Sequence, residues 1–230
     1  SANDLVFMAI GWSLSGLAFA ALIGHANSLQ AEQSSATVRR RLLLSDAAVW
    51  ASVVIGWLTL PGIERGTDLQ GASPVALTTV LGLVVAAAVV RSSLVPAHAW
   101  LLETSNAPSP VSALLHAGLV NGGGVMILVL WGWFALAPLT LIPLFALGAV
   151  TVMVATALGR ARGDVKGQLV HSTSAQMGYM CMQIGLGLPA AALLHIIGHG
   201  SYKSWLFLRA GGTSDRLRAR AASSVNENSR

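Results

Sequence analysis

Residues 188–212 read LPAAALLHIIGHGSYKSWLFLRAGG, and the reading of this stretch decides the fold. It is long and apolar enough to cross a bilayer, which takes roughly 20 predominantly apolar residues. Yet it carries His195, His199 and Lys203. These stand four residues apart, and each step of four on an α-helix turns about 400°, so they form one slowly drifting stripe. Ionisable side chains at membrane depth are costly and tend to mark ion or proton routes. The remaining chain reads as scaffold and partners for that stripe.

The bulk composition agrees. Only 10% of the residues are charged and 54% are hydrophobic, where a soluble domain carries about a quarter charged residues. The mean hydropathy is +0.66, which places the chain among polytopic membrane proteins. A net charge of +5 invites a nucleic-acid reading, but the basic residues are not spread over a face. Apart from Arg65 and Lys203, every Lys and Arg lies in or beside Arg39–Arg41, Arg91, Arg160–Lys166 or Arg209–Arg230. That is loop bias, and it excludes nucleic acid as a partner. Cys181 is the single cysteine, so no intrachain disulfide forms.

Seven spans are predicted: about 5–24, 43–60, 74–90, 110–133, 139–158, 168–187 and the opening stretch from Pro189. A polar, Arg-rich loop is expected at His25–Leu42, and Pro61-Gly62 is expected to close the second span. Ser73 is the expected N-cap of the third, with Pro74 at its first position. Between Arg91 and Ser109 the chain is semi-polar and broken by Pro96 and Pro108, as in a discontinuous helix or a re-entrant segment covered by protein. Gly118 and Gly122 stand four apart, a spacing that lets helices approach closely. Alternation places 25–42, 91–109, 159–167 and the tail from Thr213 on one side. The other side holds only Arg65. Positive-inside then puts the N-terminus outside and the C-terminus inside.

Three segments together carry a family resemblance: RSSLVPAHAWLLETSNAPSPVSALLHAGLVNGGGV (91–125), DVKGQLVHSTSAQMG (164–178) and the stretch from His195 to Gly211. In this order they resemble the antiporter-like membrane subunits shared by respiratory complex I and the Mrp sodium/proton antiporters. GWSLSG (11–16) sits where that family reads G-W-E-x-x-G, and Asp46 where it has an Asp opening the next helix. Within the superfamily, MGYMCMQIGLG followed by HGSYKSWLFLRAGG is similar to the membrane subunit of the DAB inorganic-carbon accumulation system.

The resemblance implies an all-α, antiporter-like transmembrane bundle of about seven spans over residues 1–212, followed by a polar basic tail at 213–230. A broken helix near Pro96 is expected, and the chain is expected to be partial relative to the family. It implies a proton (or sodium) translocating subunit in the bacterial inner membrane, coupling an ion gradient to inorganic carbon (CO2/bicarbonate) uptake. The alternatives are a diverged complex I/Mrp-type antiporter subunit and a non-conducting membrane anchor. The implied partners are membrane lipid and a cytoplasmic zinc-containing, carbonic-anhydrase-like subunit or other membrane subunits. No cofactor is expected in this chain, and no redox or hydrolytic site of its own.

The expected pathway residues are Lys203, His199, His195, His116, Arg91 and Asp46. Burial disfavours the charged form of an ammonium, which suits Lys203 to loading and releasing a proton; the bland reading is a Lys that snorkels to the interface. His195 and His199 either relay protons through water, hold a metal, or join helices by a hydrogen bond. His116 is either a water-chain member or a satisfied core group. Two departures from the family pattern stand out: Ser13 replaces its Glu, and Arg91 its Lys. A guanidinium does not give up its proton, so Arg91 is expected to act as a fixed positive charge. Asp46 is the candidate countercharge, with helix capping or pairing to Arg39–Arg41 as alternatives. Asp164 and Lys166 are expected to fix a helix start.

Overall fold

The computed structural model describes residues 2–25, 28–60 and 69–228, and among them there is helix and turn but no strand. Helix α1 (Ala2–Gly24) is followed by α2 (Leu29–Thr59). Ser28 caps α2, its Oγ accepting from the Ala31 N–H at 3.1 Å. The polar loop expected at His25–Leu42 is therefore mostly helix. Its Gln, Ala, Glu and Arg residues are good helix formers, and their polarity reports water, not loss of helix. The 31 residues of α2 span about 46 Å, more than the ~30 Å hydrocarbon thickness, so its Arg-bearing end projects beyond. The expected close at Pro61-Gly62, and Arg65, lie outside the described residues.

Helix α3 (Pro74–Arg91) starts at its proline as expected, although Ser73 makes no side-chain capping bond. The break around Pro96 follows as Ser92–His98, then α4 (Ala99–Leu102) and a 3-10 turn. Backbone freed from helix at membrane depth must be satisfied by protein. Here the Val95 N–H donates to Thr151 Oγ1 at 2.9 Å, and the Trp100 indole to the Val90 carbonyl at 2.9 Å. Ser93 takes a left-handed backbone (φ 55), and its Oγ donates to the His98 carbonyl at 3.1 Å.

The single span expected from Pro110 to Trp133 is broken as well. It comprises α5 (Ser109–Ala117), a 3-10 turn at Leu119–Asn121, α6 (Gly122–Val129) and α7 (Trp131–Phe134). Asn121 Nδ2 donates to the Ala117 carbonyl at 2.7 Å, holding the turn. The expected glycine contact works through Gly123 more than Gly118. A Cβ on Gly123 would run into Ser92 Oγ and the Ala88 backbone, whereas on Gly118 it would meet only its own helix.

Helices α8 (Leu141–Ala161) and α9 (Val165–Gly185) form the tightest crossing. A Cβ on Gly148 or on Gly178 would lie 2.7 Å from the other glycine's carbonyl oxygen. Gly187 turns the chain at φ +75 into α10 (Pro189–Asn228). The expected end at Gly212 is passed over: the Arg, Ala and Leu residues beyond it carry the helix onward, against a cost of about 1 kcal/mol per glycine.

Among the described residues, five stretches are long and apolar enough to cross a membrane: Leu5–Gly24, Leu29–Thr59, Pro74–Arg91, Ser109–Val129 and Pro138–Ala161. Helices α9 and α10, expected as the sixth and seventh spans, are not among these five; their polar and charged side chains lower their hydropathy. The core holds Leu81, Val84, Trp100, Ile127, Phe134, Leu144 and Ile184, while Leu58, Val75, Leu139, Met153 and Leu194 face outward. At one end a polar groove of about 420 Å³ gathers Gln33 and Thr37 of α2, Glu103, and Arg162 and Gly167 of the α8–α9 turn. Three segments assigned to the same side by charge bias therefore meet.

Overpacking a tight contact costs about 1–3 kcal/mol. Gly178→Ala is expected to destabilise the detergent-solubilised protein by about that amount in a thermal or denaturant titration. Gly132→Ala, where an added Cβ meets nothing within 4 Å, is expected to be silent.

Candidate functional site

Lys203 is 2% exposed. Its Nζ donates to the Leu169 carbonyl and to Ser172 Oγ, both at 3.1 Å and both on α9. Arg91–Asp46 and Arg162–Asp164 are ion pairs elsewhere in the bundle, and among the described residues no carboxylate pairs with Lys203. Dipolar oxygens thus hold the ammonium, and it does not snorkel out. One turn toward the N-terminus, His199 is 7% exposed, and neither of its ring nitrogens has a partner. His195 follows, half-buried, with Nε2 unpartnered and its ring centroid 6.1 Å from that of His199.

His116 comes to the same helix from α5, just before the break. Its ring stacks on Phe207 at 4.4 Å, and Lys203 and His199 lie within its electrostatic reach. Its Nδ1 and the Asn121 Oδ1 are buried without partners. The α5 turn seats itself on α10 at Gly200, where a Cβ would lie 3.1 Å from the Ala117 carbonyl. Buried polar atoms left unpaired are rare, and each needs a reason. Here four side chains supply them around one ammonium.

The structure thus brings together Lys203, His199, His195 and His116. Arg91 and Asp46 form a separate cluster. Arg91 is fully buried at the end of α3. Its Nη2 donates to the Trp12 carbonyl at 2.6 Å and meets Asp46 Oδ1 at 3.4 Å, while Nη1 reaches Ser15 Oγ at 3.5 Å. The guanidinium carbon lies 4.2 Å over the Trp12 ring, a cation–π contact that gains strength when desolvated. The Trp12 indole donates to Ser45 Oγ at 3.1 Å, and Ser45 to the Ala87 carbonyl at 2.9 Å. Asp46 is the countercharge. It lies inside α2, so it caps nothing. Ser13 turns away, its Oγ accepting from the Trp50 indole at 3.1 Å.

At the α8–α9 turn Asp164 caps α9. Its Oδ2 accepts from the Gly167 N–H at 2.7 Å, and its Oδ1 accepts from Arg162 Nε at 2.8 Å. The Gly167 N–H, with Arg162, holds this carboxyl below the usual carboxylate range. The cap is therefore fully effective above the ordinary Asp range and is lost as pH falls through the depressed value. Lys166 donates to the Ala107 carbonyl at 3.1 Å, tying the turn to the α5 approach.

The Leu169 carbonyl was not anticipated from the residues, because a backbone oxygen has no signature in sequence. Ser172 was legible: with Gln168 and Gln176 it forms a second polar series at intervals of four. His171, 3% exposed on α9, was also passed over. Among the described residues no group of three or more His, Cys, Asp or Glu is placed to hold a metal. Among the described residues, then, His195 and His199 have no set of further ligands such as a structural zinc site takes.

Residues 2–227 match the family model described as NADH:quinone oxidoreductase/Mrp antiporter, transmembrane. A probable inorganic carbon transporter subunit, DabB2 of Halothiobacillus neapolitanus, is 36% identical over 176 residues, 76% of this chain and 32% of its own length. The probable inorganic carbon transporter subunit DabB of Bacillus subtilis is 33% identical over 220 residues, 93% of this chain and 43% of the relative. The NADH-quinone oxidoreductase subunit L of Mycobacterium tuberculosis is 35% identical over 220 residues, 91% of this chain and 34% of the relative. Among solved structures, the membrane-bound sulfane sulfur reductase, an archaeal respiratory membrane complex, has a chain that superposes with a TM-score of 0.72 at 21% identity. That match covers 91% of this chain and 44% of the other. The chain thus spans less than half the length of each of these relatives.

Removing one partner of a buried pair costs about 3–5 kcal/mol, while an apolar replacement of both is often near neutral. Asp46→Ala is expected to destabilise by the lower part of that range, since Arg91 keeps the Trp12 carbonyl. The Asp46→Leu, Arg91→Met double variant is expected to recover most of the loss. Denaturation of the wild type, Asp46→Ala, Arg91→Met and the double variant measures both effects.

Proposed function

The chain belongs to the NADH:quinone oxidoreductase/Mrp antiporter transmembrane family, and on that premise we propose that it is the proton-conducting core of a membrane subunit that drives inorganic-carbon uptake. One observation carries the reading: Lys203 is buried with no countercharge among the described residues, beside His199, both of whose ring nitrogens are unpartnered, and His195, whose Nε2 is. An ammonium held only by a carbonyl and a hydroxyl loses little when it deprotonates. One held by a carboxylate loses an ion pair. Lys203 therefore takes up and gives up the proton, and His199 and His195 pass it along α10 through water in the groove they share. That groove, about 340 Å³, is lined by Ser172, Gln176, His195, Gly198, His199, Tyr202 and Lys203. His116, from the broken α5–α6 element, sets the field at Lys203 from the opposite side.

Arg91 has a different part. Guanidinium stays protonated, and its pairing with Asp46 and Trp12 fixes it in place. It acts as a static charge that biases the broken helix, where a Cβ on Gly122 would lie 3.8 Å from Arg91 Cγ. This favours a subunit with one working proton-exchanging site in this region over a two-site complex I or Mrp antiporter. It is also what favours the non-conducting anchor as the second reading.

The relatives named as inorganic carbon transporter subunits support carbon uptake as the coupled process. The implied partner is a cytoplasmic, zinc-containing, carbonic-anhydrase-like subunit, and this chain supplies no cofactor of its own. The bacterial relatives support the bacterial inner membrane, and charge bias supports the N-terminus outside and the basic α8–α9 turn inside. Residues 213–230 serve as the basic segment beyond the transmembrane domain of residues 1–212.

In proteoliposomes of the full-length subunit with its partner, Lys203→Ala is expected to abolish pH-gradient-driven proton flux. His199→Ala is expected to lower it about 10²-fold or more, the scale of a lost proton-transfer group. Wild-type flux in both variants would leave the stripe structural and sink this reading in favour of the anchor.

A further inference from the structure

The groove at Lys203 does not stand alone. A second groove of about 440 Å³ lies between α8 and α9, and its lining includes Thr156, Arg160, Gln168, Ser172 and Gln176. Ser172 and Gln176 line both grooves. The two adjoin along Ser172 and Gln176, and together their linings reach from Arg160 and Gln168 to Lys203 and His195.

Two polar stripes make this lane. On α9, Gln168, Ser172 and Gln176 stand four residues apart; on α10, His195, His199 and Lys203 do the same. The helices are consecutive and joined by a tight turn, so they run in opposite directions and the stripes pass side by side. Ser172 pins their register through its bond from Lys203 Nζ at 3.1 Å. Along α9, Gln168 to Gln176 covers about 12 Å at 1.5 Å per residue, a substantial part of one leaflet. Ser172 and Gln168 are exposed and Gln176 is half-buried. Polar side chains in hydrocarbon need water or protein against them, and a depression of this size holds several waters.

We propose that Gln168, Ser172 and Gln176 line the aqueous access from the Arg160 side to Lys203. Arg160 sits at its mouth, and Gln176 passes the water chain on to His199. The amide and hydroxyl groups each donate and accept, so they orient water on both sides without trapping a proton. Ser172 does double duty: it holds the ammonium and stands on the lane that reaches it.

This deepens the reading of Lys203 as the exchanging group, but its test does not depend on turnover. In a cysteine-free background of the full-length subunit that includes Cys181→Ala, Gln176→Cys and Ser172→Cys are reacted with a charged, membrane-impermeant thiosulfonate in sealed vesicles of each orientation. Gly163→Cys, in the α8–α9 turn, marks the Arg160 side. Met153→Cys, which faces outward from α8 at 65% exposure, marks the lipid face. Reaction of both lane cysteines about tenfold or more faster than Met153→Cys, from the Gly163 side only, is the expected result for a wetted lane in a bilayer. Rates no faster than that of Met153→Cys, or reaction only from the opposite side, overturn the lane. Ser172→Cys is nearly isosteric and covers the case in which Gln176→Cys does not fold. Labelling succeeds or fails whether or not Lys203 carries protons, so the two readings fall separately.

Discussion

Everything in the bundle turns on how an ammonium is kept at membrane depth. Lys203 has a carbonyl and a hydroxyl from α9 as its hydrogen-bond acceptors, and hydrogen bonds to a charged group are worth about 1.5–3 kcal/mol each. That is enough to offset part of the desolvation of one cation and too little to lock it. Helix α9 must therefore sit close to α10 and in the correct register. Its other face is fixed by the Gly148–Gly178 crossing with α8, and its first turn by the Asp164 cap. The scaffold residues serve the placement of two oxygen atoms.

The Arg91 cluster solves the same problem in the opposite way. A carboxylate, a carbonyl and an indole face surround the guanidinium, and none leaves room for a change of protonation state. One cation is held by groups that tolerate its neutralisation, the other by groups that demand its charge. The broken α5–α6 element lies between them, touching Arg91 at Gly122 and α10 at Ala117 and His116. Its 3-10 turn lies between the two buried cations.

Much of this was legible in the residues. The apolar runs separated by Pro, Gly and Arg gave the helices, because backbone groups in lipid leave helix as the choice for such a chain. The stripe of His195, His199 and Lys203 needed only the helical period. Polarity was misleading where it was used as a boundary signal: Gln30–Arg41 is helix that extends into water, and the residues past Gly212 remain helical. The pairing of Asp46 was open in sequence among Arg91, Arg39–Arg41 and a cap. Distance along the chain carries no information about which of these is near.

The sequence by itself determined an all-helical membrane bundle, its family, and which α10 side chains carry ionisable groups, since composition and periodicity act locally. Tertiary structure decided which cation has a countercharge. Arg91 meets Asp46 and Trp12 because α1, α2 and α3 pack there, and Lys203 meets the Leu169 carbonyl because α9 presents it. A backbone oxygen belongs to every residue alike, so only packing singles out the one that receives a proton-bearing nitrogen. That choice gives one buried cation a carboxylate and leaves the other with neutral acceptors among the described residues.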